Sequence, residues 1–395
     1  MKREQSDLDS LRVERDALNR TLAELVRINS INPAFGEGRT NEAEIAWHVA
    51  AVLGRLGMEV TSSEPEPGRV SVLGRLPGRG AGPSLMLYAH LDTVGVEGMS
   101  EPFSSAVRDG RMYGRGTYDM KGALAACITA IETLVKADRR PAGDLYLAAV
   151  ADEEVASIGM SDVLTRVVPD AAIVTEATEL RLCRAHKGFC WIEVETEGRA
   201  AHGSRFEEGV DANLRMGRFL GRLEGLEREL RARAPHPLVG PPSLHAATLQ
   251  GGTGWSTYAA GCRLQIERRT IPGESEAGAL QEIQRIVDEL AAADPSFRAS
   301  VRPVLARESF EVEPDAPIVR SVASAAARVL GAPPPTIGEP YWMDAALLAA
   351  AGADVVIIGP RGAGAHAAVE WVDLESVAQV SEILALTAAE FGHAG

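Results

Sequence analysis

The chain has 395 residues, 46% of them hydrophobic, and a formal charge of -15 at pH 7. That length exceeds one ordinary core, so two domains are expected; the acidic balance argues against nucleic acid, whose phosphates are bound by neutralising Lys and Arg. No run approaches the roughly 18 apolar residues of a membrane helix and residues 1–8 are too polar for a signal peptide, so a cytoplasmic protein with no membrane partner is expected.

In chain order, Leu8, Leu11, Leu18, Leu22, Leu25 and Val26 recur at helical spacing and predict an amphipathic first helix that stops near Asn32 and Pro33. A second helix is predicted over 42–56, closed by Gly57, and 68–79 carries the glycine and proline punctuation of a turn region. The apolar run 85–89 ends at His90, with Asp92 two residues on and on the same side of an extended chain. Asp119 precedes the helical stretch 121–136, so its carboxylate lies near a helix start. The run 145–151 ends in Asp152, Glu153 and Glu154, and 171–175 ends at Glu176.

From 187 to 306 the pattern changes. Alternating strands at 189–196, 244–250, 262–271 and 297–304, with helices at 210–230 and 274–292, predict a small antiparallel sheet backed by two helices. The run 355–358 then leads through the loop 359–365 to His366. Short continuous apolar runs are the mark of parallel strands buried on both faces, and ligands of such sheets gather beyond the strands' carboxyl ends. The expectation is an α/β domain of 1–186 and 307–395, a mostly parallel sheet flanked by helices, with 187–306 as an inserted α+β domain.

Two His and three carboxylates at separate element ends match the donors of two zinc ions, which need five protein ligands if one carboxylate bridges and water fills the rest. Glu153, beside Glu154 and not needed as a ligand, is then free to act as a general base. Arg269 is a candidate for a substrate carboxylate, onto which a guanidinium forks, with a surface pair to Glu267 or Glu274 as the other reading. Arg268 must face the opposite side of that strand. Cys127, Cys183, Cys190 and Cys262 form no C-x-x-C pair and read as buried thiols. His48, His236 and His393 read as solvated or packed; His186 and His245 have no assignment. Residues 341–344 precede an alanine-rich helix and read as a pocket floor or a hydrophobic staple.

The segments YAHLDTV (88–94), GRGTYDMKG (114–122), ADEE (151–154), AHGS (201–204) and AH (365–366) resemble, in order and across nearly the whole chain, a family of dinuclear zinc peptidases and deacylases. It includes acetylornithine deacetylase, succinyl-diaminopimelate desuccinylase, aminoacylase and carboxypeptidase G. The resemblance implies two Zn2+ per chain, with Co2+ or Mn2+ able to substitute. It places His90 and Glu176 on one ion, Glu154 and His366 on the other, and Asp119 between them. Asp92 is then the partner that orients His90, Glu153 the base, and the Asp119–Met120 peptide cis. Glu370 and Trp371 follow His366 as the family's last motif does, in a supporting role. The insert is implied to be a lid through which a homodimer forms, with His202 reaching across to polarise the scissile carbonyl at the neighbour's zinc site. Phe206, Ser256 and Ala259 stand where the family often has Pro, Asn and Pro.

The chemistry so implied is hydrolysis of a small-molecule amide. An N-acyl amino acid is the expected substrate, since 252–273 looks most like the acetylornithine deacetylase branch; a dipeptidase or a glutamate-releasing carboxypeptidase is the alternative. A non-catalytic scaffold of the same fold is the third, against which the intact ligand set with Glu153 argues.

Overall fold

A computed structural model describes residues 11–36 and 40–392; residues 1–8, with Leu8, and His393 lie outside them. The chain runs α1 (Arg15–Arg27), α2 (Ala43–Arg55), β1 (Glu59–Ser63), β2 (Ser71–Leu76), β3 (Leu85–His90), β4 (Ala106–Arg108), β5 (Arg111–Tyr113), α3 (Gly122–Lys136), β6 (Leu145–Val150), α4 (Ile158–Leu164), β7 (Ala171–Val174) and β8 (Leu182–His186). Then come β9 (Gly188–Glu197), α5 (Ala212–Ala232), β10 (Ser243–Gly251), β11 (Gly261–Thr270), α6 (Glu276–Ala293), β12 (Ala299–Arg307) and β13 (Phe310–Glu311). The last part holds α7 (Pro317–Leu330), β14 (Thr336–Glu339), α8 (Ala345–Ala350), β15 (Asp354–Ile357), β16 (Gly362–Ala363), β17 (Trp371–Asp373) and α9 (Leu374–Glu390). Two compact units result: one of Met1–Arg184, Val312–Ile337 and Met343–Gly395, the other of Ala185–Glu311 and Gly338–Trp342.

In the first unit β6, β3, β7 and β15 lie side by side and parallel. β2 joins β6 and β1 joins β2, both antiparallel. Every residue of β3 and β7 is buried, as strands covered on both faces require. α3 is apolar nearly all round and packs on α1 and α9, so it is a core helix rather than an amphipathic cover. Leu124, Ile128, Ile131 and Leu134 are all but sealed from water there, each contributing roughly 1.5–3 kcal/mol by burial. The parallel order sets the carboxyl ends of β6, β3, β7 and β15 next to one another, and the segments leaving those ends carry the site. The fold is α/β with a central, mostly parallel sheet.

The second unit is an antiparallel sheet in the order β10-β11-β9-β12. Alternation puts Ile192, Val194, Leu264 and Ile266 on one face, packed against Phe219, Leu223, Ile283 and Val287 of α5 and α6. Asp211 and Ser275 cap those helices, accepting backbone N–H groups of Asn213 and Gly278. The pairing of β12 with β9 slips between Pro303 and Leu305, where proline has no N–H to give.

Some elements differ from the sequence expectations. Residues 68–79 hold strand β2, not only turns. Its pattern is broken by Gly74, where a Cβ would come within 2.8 Å of Leu53, so α2 can lie close over the strand. The short sheet β16-β17-β5-β4 and helices α4, α7 and α9 have no counterpart in the sequence reading.

Candidate metal centre

His90 ends β3, Glu154 follows β6, Glu176 follows β7 and His366 follows the loop after β15; Asp119 arrives from the turn before α3. They form two groups sharing Asp119: His90, Asp119 and Glu176, and Asp119, Glu154 and His366. In each, one donor atom per residue lies within 4.8 Å of the others. Asp119 Oδ1 is 3.0 Å from His90 Nε2, and its Oδ2 is 3.3 Å from His366 Nε2. Glu154 Oε2 is 3.0 Å from His366 Nε2, and Glu176 Oε1 is 3.7 Å from His90 Nε2.

The donor set fits zinc: imidazole nitrogens mixed with carboxylate oxygens, unlike the all-oxygen shells of calcium and magnesium. Glu154 Oε1 and Glu176 Oε1 are buried without a hydrogen-bond partner among the described residues. An unsatisfied buried acceptor costs roughly 1–3 kcal/mol, more when charged, and a bound cation offsets it.

His90, Asp119 and the turn that carries Glu154 are held from behind. His90 Nδ1 meets the backbone carbonyl of Asp92 at 2.9 Å, while the Asp92 carboxylate is 3.5 Å away. Asp92 therefore orients the ring chiefly through its main chain. Its carboxylate instead accepts the backbone N–H of Glu153 and Glu154 at 3.1 and 3.2 Å, which fixes the acidic turn. Glu370, 1% exposed, accepts the N–H groups of Gly116, Tyr118 and Asp119 and is paired with Arg115. The Asp119–Met120 peptide is cis, and His366 sits in the left-handed region at φ 60°.

The carboxylates of the site are largely buried and repel one another. Burial first, and neighbouring carboxylates second, push the Glu153, Glu154 and Glu176 carboxyls up from the ordinary range. Hydrogen bonds to Asp119 and Glu154 raise His366 to about 10. Burial opposes ionisation of Asp119, but His366 and His90 hold it well below the usual carboxylate range. Several carboxyls shifted together in one place mark a functional-site candidate.

His202 and Arg269 stand in the second unit. His202 lies in an exposed turn with Nδ1 2.8 Å from Ser204 Oγ. Arg269 pairs with Glu267 at 2.8 Å and lies over the ring of Phe189, 5.4 Å from its centroid. Arg268, on the opposite face, is 1% exposed and paired with Glu274 and Glu282. His48 and His236 each neighbour a glutamate, and His186 is buried against Phe310. All four cysteines are buried and free.

Sequence reasoning missed Asn32 and Arg69, and touched Asp344 only as part of the 341–344 pocket floor or staple, with no role of its own. Asn32 was legible only as a helix stop, yet it bonds Asp92 and Asp152. Asp344 accepts the Tyr88 hydroxyl at 2.7 Å beneath the site. A tyrosine in an otherwise aliphatic buried strand was the available signal, because a buried phenol needs a partner.

The chain is similar to known proteins over almost all of its length. Residues 86–390 match the sequence model of peptidase family M20/M25/M40. An acetylornithine deacetylase of Myxococcus xanthus is 30% identical over 389 residues, 95% of this chain and 97% of that protein. Among solved structures, a tripeptidase of Staphylococcus aureus superposes with a TM-score of 0.79 at 20% identity, covering 97% of this chain and 100% of that one. Human carnosine dipeptidase 1 gives 0.74 at 17% identity, with 99% of each chain covered; at such identities the likeness concerns the fold.

Proposed function

From the premise that the chain belongs to peptidase family M20/M25/M40 and is a metallohydrolase of amide or peptide bonds, we propose that it is a two-zinc deacylase of N-acyl amino acids. The observation that carries this is the single Asp119 carboxylate facing His90 with one oxygen and His366 with the other. His90 and Glu176 would hold one ion and Glu154 and His366 the other, with Asp119 shared. The likeness over almost its full length to an acetylornithine deacetylase supports the substrate class.

Zinc bound there supplies Lewis acidity toward the amide carbonyl and lowers the pKa of water from 15.7 toward about 7. Glu153 takes the proton of the attacking water as a carboxylate and, so protonated, returns it to the leaving amine nitrogen. Asp92 keeps the Glu153–Glu154 turn in register. His202 donates to the developing oxyanion from the other subunit of a homodimer, a kind of contact that contributes about 2.7–4 kcal/mol. Arg269 exchanges Glu267 for the substrate's carboxylate.

The test is metal analysis followed by assay of N-acetylornithine, other N-acyl amino acids and dipeptides. Release of acyl groups by zinc-loaded protein, abolished by chelator and restored by zinc, is expected. Cleavage of dipeptides alone would favour a dipeptidase, and an inert preparation free of bound metal a scaffold.

A further inference from the structure

We infer that Arg69 is a positioning residue for hydrolysis, holding the turn that carries Glu153 and Glu154; the inference rests on the reading of Glu153 as base. Behind that turn lies a polar network in which Glu42, Asn32 and Asp92 are fully buried, Asp152 is 2% exposed and Arg69 8%. Arg69 is fixed by Glu42, which accepts from Nε and Nη2 at 2.6–3.1 Å. The same Nη2 donates to Asp152 Oδ1 at 2.6 Å. Asn32 Nδ2 straps that oxygen to Asp92 Oδ2, at 3.0 and 2.8 Å, and Asp92 in turn accepts the Glu153 and Glu154 amides.

Asp152 is the pivot. It adopts φ 71°, a left-handed conformation that a non-glycine residue holds only where its surroundings require it. Its carbonyl accepts from Ala156 and Ser157, so the chain turns tightly about it. The peptide leaving it carries the base and then a metal ligand, and a swing of Asp152 rotates both. Arg69 is the cation that pairs with both Glu42 and Asp152. Without it, buried carboxylates face each other unpaired and separate. A misplacement of about 1 Å at reacting groups can cost on the order of a hundredfold in rate.

The test compares Arg69→Met, Arg69→Lys and Asn32→Leu in the full-length zinc-loaded chain, with Glu153→Gln as reference. The readouts are kcat and KM on N-acetylornithine, zinc content, and hydrogen–deuterium exchange of the peptide spanning 150–158. Arg69→Met should exchange faster over 150–158 and lose roughly 10- to 100-fold in kcat, with KM within about twofold and zinc content unchanged. Arg69→Lys, which keeps the charge but not the fork, should recover part of the loss. Asn32→Leu cuts the same strap without removing a charge and should repeat the pattern in milder form if Arg69→Met does not fold. Folded Arg69→Met and Asn32→Leu proteins with wild-type exchange over 150–158 would overturn the inference whatever the substrate. A Glu153→Gln protein at full turnover would instead sink the base assignment, and an inactive one beside Arg69→Met at full kcat would remove Arg69 alone.

Discussion

Glu370 Oε1 accepts the backbone N–H of Asp119 at 3.1 Å, so the residue proposed to sit between two ions is held by its main chain as well as its carboxylate. The same side chain accepts from Gly116 and Tyr118 and pairs with Arg115 at 2.6 Å. Glu370→Gln brings an amide donor against those N–H groups and leaves Arg115 without its counter-charge. A loss of roughly 3–5 kcal/mol in unfolding free energy is expected, with zinc bound about 10- to 100-fold more weakly. Urea titration and chelator competition measure the two; an unchanged midpoint would show that Asp119 is held by other means.

Zinc affinity should rise with pH through the neutral range. Asp119 and Glu154 raise His366 to about 10, so below that pH an entering ion must displace its proton, and burial adds protons on Glu154 and Glu176 to the competition. The sign follows: lower pH favours the protonated site and weakens binding, by roughly tenfold per pH unit for each proton displaced. Competition with a chelator at pH 6, 7 and 8 measures this slope, and a flat profile would contradict the ligand set.

Glu153→Gln should keep its zinc while losing about 10²–10⁴-fold in kcat. Glu153 belongs to neither donor group, so loss of metal in the variant would make it a ligand rather than the base.

At Gly359 the chain after β15 passes so close to the Glu176 backbone that an added Cβ would overlap its carbonyl oxygen. Gly359→Ala should therefore cost about 1–3 kcal/mol in stability and weaken zinc binding by moving Glu176. Wild-type affinity in the variant would mean that the loop yields without disturbing the ligand.

Much of this was legible in the sequence because the parallel sheet makes its own punctuation. Buried strands such as residues 85–90 and 171–174 must be apolar throughout, so polar residues at their ends stand out, and His90 and Glu176 are found by reading where a run stops. Asp119, before a helix start, and His366, past a loop that follows a buried run, lie one step further from the strand ends and are marked less directly. The supports were hidden for a different reason. Arg69 and Asn32 each sit among short, polar, glycine-punctuated stretches, and their partners Glu42, Asp92 and Asp152 lie 27 to 120 positions away; no local period encodes such a contact. β2 was read as turns because Gly74, needed for close approach of Leu53, breaks its alternation.

The most direct measurement is a crystal structure of zinc-loaded protein with anomalous diffraction recorded on both sides of the zinc edge. Two peaks about 3.5–4 Å apart, one beside each oxygen of Asp119 with His90 and His366 on opposite ions, are the expected result. A single peak, or two that do not share Asp119, would contradict the account.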